Sequence, residues 1–440
     1  MTTAIKEHQD VYLQSFRQLE QRAKAPEWLA RLRREAIESF MELGFPTTRN
    51  EEWKYTNAAP IARTVFEPAP AVAAAPAVEF MAKSPFAEMD CPRLVFVNGR
   101  LAADLSSLDS LAAEVKVMSL GKAIADGSSQ VEEHLARYAD CAANPFAALN
   151  TAFIEDGALI DIPKRLELAK PIYLLYVTLA GPKPTVTHPR NLILIGGESQ
   201  ATVIEGYLGF GDSAYLTNAV TEIAVGENSI LEYVKLEGES ATAFHTATVK
   251  IHQARNASAH ATTVALGARL AREDTTAALD GEGGEATLNG IYVLTGEQHV
   301  DNHTTLDHAR PHCASRELYK GILDGKSTGV FNGKIIVRPD AQKTDSKQSN
   351  KNLLLSEEAT INTKPQLEIY ADDVKCTHGA TVGQIDAEAL FYLRSRGIGQ
   401  LEARSLLTAA FANDVLDKIK YSRLRERLKE AVFERLARSA

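Results

Sequence analysis

The chain has 440 residues, 45% of them hydrophobic and 24% charged, with a formal net charge of −9. Such a chain can bury a large core in one elongated body or in two to three domains, and its acidic balance lacks the basic footprint of a nucleic-acid binder. No apolar run approaches the roughly 18 residues of a membrane span, the opening "MTTAIKEHQDVYLQSF" has neither the basic nor the apolar region of a signal peptide, and four scattered cysteines make no disulfide framework. A cytoplasmic protein with free thiols is expected.

The N-terminus reads as helical. "APEWLARLRREAIESFMELGFP" places Leu29, Leu32, Ala36, Phe40 and Leu43 at helical spacing, and Gly44 then Pro46 supply the stop. The following "TTRNEEWKYTN" is polar with Trp53 and Tyr55 embedded in it, and "FEPAPAVAAAPAVEF" has the composition of a linker. "RLVFVNGRLAADLS" predicts a hairpin turning at Asn98-Gly99.

From about Ile172 to Val382 the pattern changes to short β-rich runs such as "YLLYV", "NLILIGG", "ILEYVKL" and "GKIIVR". The turns between them echo one another: "GESQATV" at Gly197, "GENSILE" at Gly226, "ARNASAH" at Ala254 and "GEGGEATL" at Gly281, about 27–29 residues apart. A sandwich turns every ~8–12 residues without this longer echo. A parallel β-helix explains it better, because stacked coils need a small or polar turn at the same corner. From about Asp386 the chain becomes helical again: "DAEALFYLRSRG", "LEARSLLTAAFANDVLDKI" after Gly397 and Gly399, then "YSRLRERLKEAVFERLARS" with Tyr421, Leu424, Leu428, Val432 and Leu436 on one face. The expected division is a helical N-terminal domain and linker over 1–92, a mainly β core over 93–384 and a helical C-terminal domain over 385–440.

Three segments suggest chemistry. "KGILDGKST" ends like a phosphate-binding P-loop, but that motif needs glycine where Lys320 stands, and the segment opens no helix. "EQHVDNHTTLDHARPHC" gathers His299, His303, His308, His312 and Cys313, which suit zinc or iron by type. Strand alternation separates them, though, putting 299 and 303 on one face and 308 on the other. "DDVKCTHGATVG" puts Cys376 and His378 on one strand face. The pair could be an activated thiol or two ligands for a soft metal, or simply a buried Cys and a structural His. Two ligands are half of what zinc or a cluster needs. The stretch forms the last strand of the β region, an edge that invites pairing with another chain able to supply the rest.

These residues also carry a resemblance. "KTDSKQSNKNLLLSEEATINTKPQLEIYADDVKCTHGATVGQIDAEALFYLRSRGI" resembles the C-terminal core of the SufB/SufD family of iron–sulfur cluster assembly scaffolds, and "RNEEWKYTN", "HVDNHTTLDHARPHCASRELYKGIL" and "GVFNGKIIV" are similar to other parts of it. The likeness is to the SufD branch. SufB-like sequences have His-Glu-Ala where this chain has His378-Gly379-Ala380, and a cysteine-bearing stretch in place of "NKNLLLSE". The resemblance implies a right-handed parallel β-helix flanked by helical domains. It implies a non-catalytic scaffold that pairs with SufB through terminal β-strands and binds the SufC ATPase through its C-terminal helices. It further implies a transient Fe–S cluster at the SufB–SufD interface, ligated from this side by His378 and more weakly by Cys376, with ATP entering only through SufC and no cofactor held tightly by this chain alone. The segment matching the SufC-docking region includes Phe391, Tyr392, Arg394, Arg396 and Gly397. Two other readings remain: a homodimeric Fe–S or iron carrier joined across the Cys376 edge, and a polysaccharide-active β-helix enzyme. The second lacks clustered carboxylates, since Asp372-Asp373 fall on alternate faces.

Overall fold

Neighbouring Cα partners in successive coils lie at similar intervals, from 26 residues for Phe244↔Leu270 through 29 for His299↔Thr328 to 32 for Thr328↔Thr360. That spacing is the turn echo expressed in three dimensions. The computed structural model describes residues 3–22, 24–72, 75–82, 84–85 and 89–439. It is a parallel β-solenoid of about eight turns with helices at both ends. The chain winds alternately between two sheets. Sheet I runs from Arg190–Ile195 through Tyr215–Val225, Ala243–Gln253, Leu270–Leu279, His299–His308 and Thr328–Val337 to Thr360–Ile369. Sheet II runs from Arg93–Val97 and Ile172–Leu179 through Gln200–Phe210, Ile230–Gly238, Ser258–Ala265, Glu285–Leu294, Ala314–Leu323 and Asp345–Leu354 to Lys375–Gly383.

One corner repeats in every coil. Glu198, Asn228, Asn256, Gly283, His312 and Lys343 all have left-handed backbones there, which accounts for the Gly- and Asn-rich turns. The next position in each coil is small and points inward. Ser229 Oγ donates to the Gly196 carbonyl at 2.6 Å, and Cys313 Sγ donates in the same way to Gly281 O at 3.3 Å. Cys313 thus takes the place of a corner serine, and burial pushes its thiol pKa up.

The lumen between the sheets is apolar over most of its length, but its middle coils hold charge. Lys235 Nζ donates to Glu273 Oε2 at 2.8 Å and to His245 Nε2 at 3.1 Å, and His245 Nδ1 lies 2.7 Å from Glu239. An ammonium can only donate, so His245 accepts at Nε2 and donates from Nδ1. Burial holds His245 neutral, down at about 3. Burial also opposes ionisation of Glu273, but Lys235 outweighs it and lowers that pKa.

The N-terminal helix Glu27–Leu43 ends as expected, with Gly44 at φ 66° donating its N–H to Phe40 O. Asn98 and Gly99, both at positive φ, turn the short hairpin that pairs Phe96 with Leu101. The expected linker is more ordered than its composition implies. Glu67–Pro68 pairs in parallel with Thr185–Thr187, and Ala75–Ala82 is helical. Proline at a sheet edge costs no ladder bond, which reconciles the composition with the strand. Short helices Leu120–Ala125, Ser129–His134 and Pro145–Ala152 lie between the first strands, within the stretch expected to belong to the β core. The C-terminal helices Gln400–Leu416 and Ser422–Ser439 pack on the outside of sheet II, where Val415, Leu416, Leu424, Leu428 and Val432 meet Val234, Leu236, Ile291 and Val293.

Lys235→Met leaves Glu273 buried without its counter-charge and is expected to lower stability by about 3–5 kcal/mol in urea unfolding. Adding Glu273→Gln should recover much of that loss, because the uncompensated charge is then removed; equal stability of the single and double variants would contradict this.

Candidate functional site

Strand Lys375–Gly383 ends sheet II and is hydrogen-bonded on one side only, to Asp345–Leu354. Its register places Cys376 over Ser346, His378 over Gln348 and Ala380 over Asn350. Those three lower residues are buried and face the lumen, so alternation turns Cys376 and His378 to the lumen side of an uncovered last layer. Cys376 is half-buried against the lumen core, and His378 is exposed. The floor beneath them is polar. Gln348 Nε2 donates to Glu317 Oε2 at 2.7 Å, and burial pushes Glu317 up to about 7. Ser315 and Ser346 hydroxyls lie 2.6 Å apart, and His308 Nε2 is 2.9 Å from Ser315 Oγ.

Burial raises the Cys376 pKa, and a hydrogen bond from the Ser346 backbone only partly offsets this. In this chain alone the residue is therefore a thiol rather than an activated nucleophile. As a ligand it needs a cation to draw off its proton. Together the pair offers one sulfur and one imidazole donor on an open edge. Among the described residues, no group of three or more His, Cys, Asp or Glu side chains is placed to hold a metal ion.

The histidine-rich segment is divided as strand alternation requires. His299 and His303 face outward from sheet I, whereas His308 points into the lumen, where burial lowers it to about 4. His312 stands at the left-handed corner and Cys313 beside it. The outward pair meets the "RNEEWKYTN" segment, an association that sequence reasoning missed. Thr56 Oγ1 bonds His299 Nε2 at 2.8 Å and Asp301 Oδ2 at 2.5 Å, and the Arg272 guanidinium lies 3.9 Å over the Trp53 ring while bridging to Asp301 and Asp274 at 2.8 Å. His303 sits between Asp301 at 3.0 Å and Glu52 at 3.4 Å. Burial opposes the imidazolium, but the two carboxylates outweigh it and raise His303 to about 9; its hydrogen bond in turn holds Glu52 down at about 2. This cluster ties the N-terminal segment to the solenoid.

Two family descriptions together match most of the chain, up to residue 411. "SUF system FeS cluster assembly, SufBD core domain" covers residues 177–411, and "SufBD protein N-terminal region" covers residues 3–174. The chain belongs to the SufBD family. It is 35% identical over 412 residues to the iron–sulfur cluster assembly SufBD family protein slr0076 of Synechocystis, spanning 92% of this chain and 90% of the relative. It is 32% identical over 404 residues to the iron–sulfur cluster assembly protein SufD of Escherichia coli, 91% of each chain. The SufD of Bacillus subtilis matches at 25% over 435 residues, 96% of this chain and 97% of that one.

In this SufBD protein the terminal strand leads into helix Ala387–Ser395, which has no buried residue. The Asp386 carboxylate caps it by accepting from the Glu388 and Ala389 N–H groups at 2.8 and 3.2 Å. Phe391 is 73% and Tyr392 56% exposed, and Leu401 and Leu406 of the next helix are exposed as well. Arg394 is exposed on the same helix, and Arg396 stacks over Tyr392 and donates to its hydroxyl at 3.0 Å. Gly397 ends the helix at φ 88°. Aromatic rings this exposed, clustered with an arginine, are typical of a contact surface. Among the described residues no helix is long and apolar enough to cross a membrane, and "GKST" forms a turn between two strands, opening no helix.

His303→Gln tests the latch. The His303 pKa lies above the ordinary ~6.5, so its contribution is complete below about pH 6.5 and disappears as pH rises through about 9. The stability difference from wild type is expected to be on the order of 2–3 kcal/mol at pH 6 and to shrink by most of that by pH 10. A pH-independent difference in urea unfolding would contradict the ionic latch.

Proposed function

We propose that this chain is the SufD-type, non-catalytic scaffold subunit of a cytoplasmic iron–sulfur assembly complex. It pairs with a SufB-type subunit through strand Lys375–Gly383 and its neighbour Thr360–Ile369. It carries one SufC-type ATPase on the exposed surface around Phe391, Tyr392, Arg394, Arg396 and Gly397. The nascent cluster is cargo, built where the two scaffolds meet. His378 is the ligand this side contributes, and Cys376 is the secondary one. The chain alone holds no cofactor tightly, and ATP enters through the ATPase. One observation carries the reading: a terminal strand paired on one side only presents a thiol and an imidazole together. An edge of this kind gains backbone hydrogen bonds from an added strand, and thiolate with imidazole is an apt donor set for iron–sulfur chemistry. The likeness to relatives named SufD supports the assignment.

The same edge favours a second state, a homodimer of the isolated chain that brings two thiols and two imidazoles together. Light scattering on the chain alone and with the SufB-type partner separates the two: a dimer that gives way to a heterodimer supports the scaffold, and one that persists supports the carrier.

Co-expression with both partners and anaerobic purification tests the site. His378→Ala is expected to leave subunit stoichiometry intact while lowering bound iron and acid-labile sulfide about tenfold, the lower range for lost metal-site support. Cys376→Ser should lower them less. Unchanged cluster content in an intact His378→Ala complex would make His378 structural. Phe391→Asp should weaken ATPase binding by about 2 kcal/mol, roughly 30-fold in Kd by calorimetry. Undiminished binding would move the docking surface elsewhere.

A further inference from the structure

Helix Ala387–Ser395 lies between two glycine-bearing joints. On one side Gly383 ends the terminal strand, and on the other Gly397 and Gly399 lead into helix Gln400–Leu416. A Cβ built on any of these three glycines would meet nothing within 4 Å, so both joints are open. The flanking elements are held very differently. Lys375–Gly383 is paired on one side and largely exposed. Gln400–Leu416 is fixed to sheet II by buried Ala403, Thr408, Ala412, Val415 and Leu416 and by one buried cation. That cation is Lys320, which faces outward from strand Ala314–Leu323 and is 2% exposed. Its ammonium donates to the Phe411 carbonyl at 3.0 Å, pairs with Asp414 and lies 4.1 Å from the centroid of the Phe411 ring. Arg404 adds a weaker bond at 3.3 Å to the Leu355 carbonyl.

We propose that Lys320 is a positioning residue that anchors the far side of a lever, whose arm is Ala387–Ser395 and whose load is the strand bearing Cys376 and His378. The inference rests on the docking of an ATPase at Phe391 and Tyr392. A displacement of that helix can be absorbed at either glycine joint. With Gln400–Leu416 locked through Lys320, only the terminal strand is free to follow, and it has a single row of backbone hydrogen bonds to resist the motion. With Lys320 removed, the helix keeps its non-directional apolar contacts and the single Arg404 bond, so under load it yields along the sheet before the strand does. Lys320 therefore works through the strand and touches no cargo. Three coupled features make it suited to this: a flexible but fully buried stem, two oxygen acceptors one turn apart on the same helix, and an aromatic face laid against the ammonium.

The experiment uses the complex of full-length chain, SufB-type subunit and ATPase, with hydrogen exchange followed by mass spectrometry before and after addition of Mg²⁺ and the non-hydrolysable analogue AMP-PNP. In wild type the nucleotide is expected to change exchange across residues 375–383 by about fivefold or more. In Lys320→Met and Asp414→Ala that change should fall below about twofold. Resting exchange of 375–383 and ATPase stoichiometry should be unaltered, which a merely stabilising residue would not produce. Asp414 is 63% exposed, so its variant keeps the test valid should Lys320→Met fail to fold. A full nucleotide response in both folded variants overturns the proposal, as does a wild-type complex that binds ATPase but shows no response in 375–383. A wild-type chain that binds no ATPase overturns the docking reading first, and the lever with it.

Discussion

A parallel solenoid satisfies its backbone only by stacking, and the last coil of any stack has a row of N–H and C=O groups with no next coil to receive them. Here that row lies along Lys375–Gly383 and Thr360–Ile369, each hydrogen-bonded to a single neighbour. Soluble proteins usually blunt such edges with proline, charge, bulges or a covering helix. Proline and charge do stand on this edge, at Pro365, Lys364 and Glu368, but the following helix turns away and leaves the edge uncovered, with no side chain buried. The open edge is therefore a feature of the fold, and Cys376 and His378 stand on it.

The interior carries a second cost. Lys235, Glu273, His245 and Glu239 form a connected network inside a lumen that apolar residues would fill more cheaply. Farther along, Glu317, Gln348, Asn350 and Asn352 make the layers under the terminal strand polar as well. A greasy last layer would be an aggregation-prone surface in the free chain. A polar one tolerates water, and the backbone ladder to Asp345–Leu354, with Asn352 donating to the Thr381 carbonyl at 3.4 Å, holds the strand of Cys376 and His378 in register.

Much of this was legible in the residues. The spacing of Gly197, Gly226, Ala254 and Gly281 set the coil length, and strand alternation correctly separated His308 from His299 and His303. Gly44 and the Leu424, Leu428, Val432 stripe marked a helix end and a buried face. Other features were not legible, for physical reasons. A lone inward Lys235 looks like any surface lysine until the winding of the coils brings His245 and Glu273, 10 and 38 residues further on, around it. The docking of Trp53 and Thr56 on Arg272 and Asp301 joins segments more than two hundred residues apart, which no local periodicity encodes. The proline-rich stretch read as linker because composition reports chain stiffness and not the edge position at Glu67–Pro68 that tolerates it. Cys376 and His378 were legible as a pair, but their position over a polar floor was visible only once the register with Ser346 and Gln348 was known.

The proposed scaffold role requires another chain to complete the terminal edge. The most direct test is amide hydrogen exchange across residues 360–383 of the full chain, alone and with the SufB-type subunit bound. Strand addition predicts that the outward-facing amides of the edge, in an alternating pattern, gain strong protection while the already paired amides change little. A stable complex in which every amide of 360–383 exchanges as it does in the free chain would contradict it.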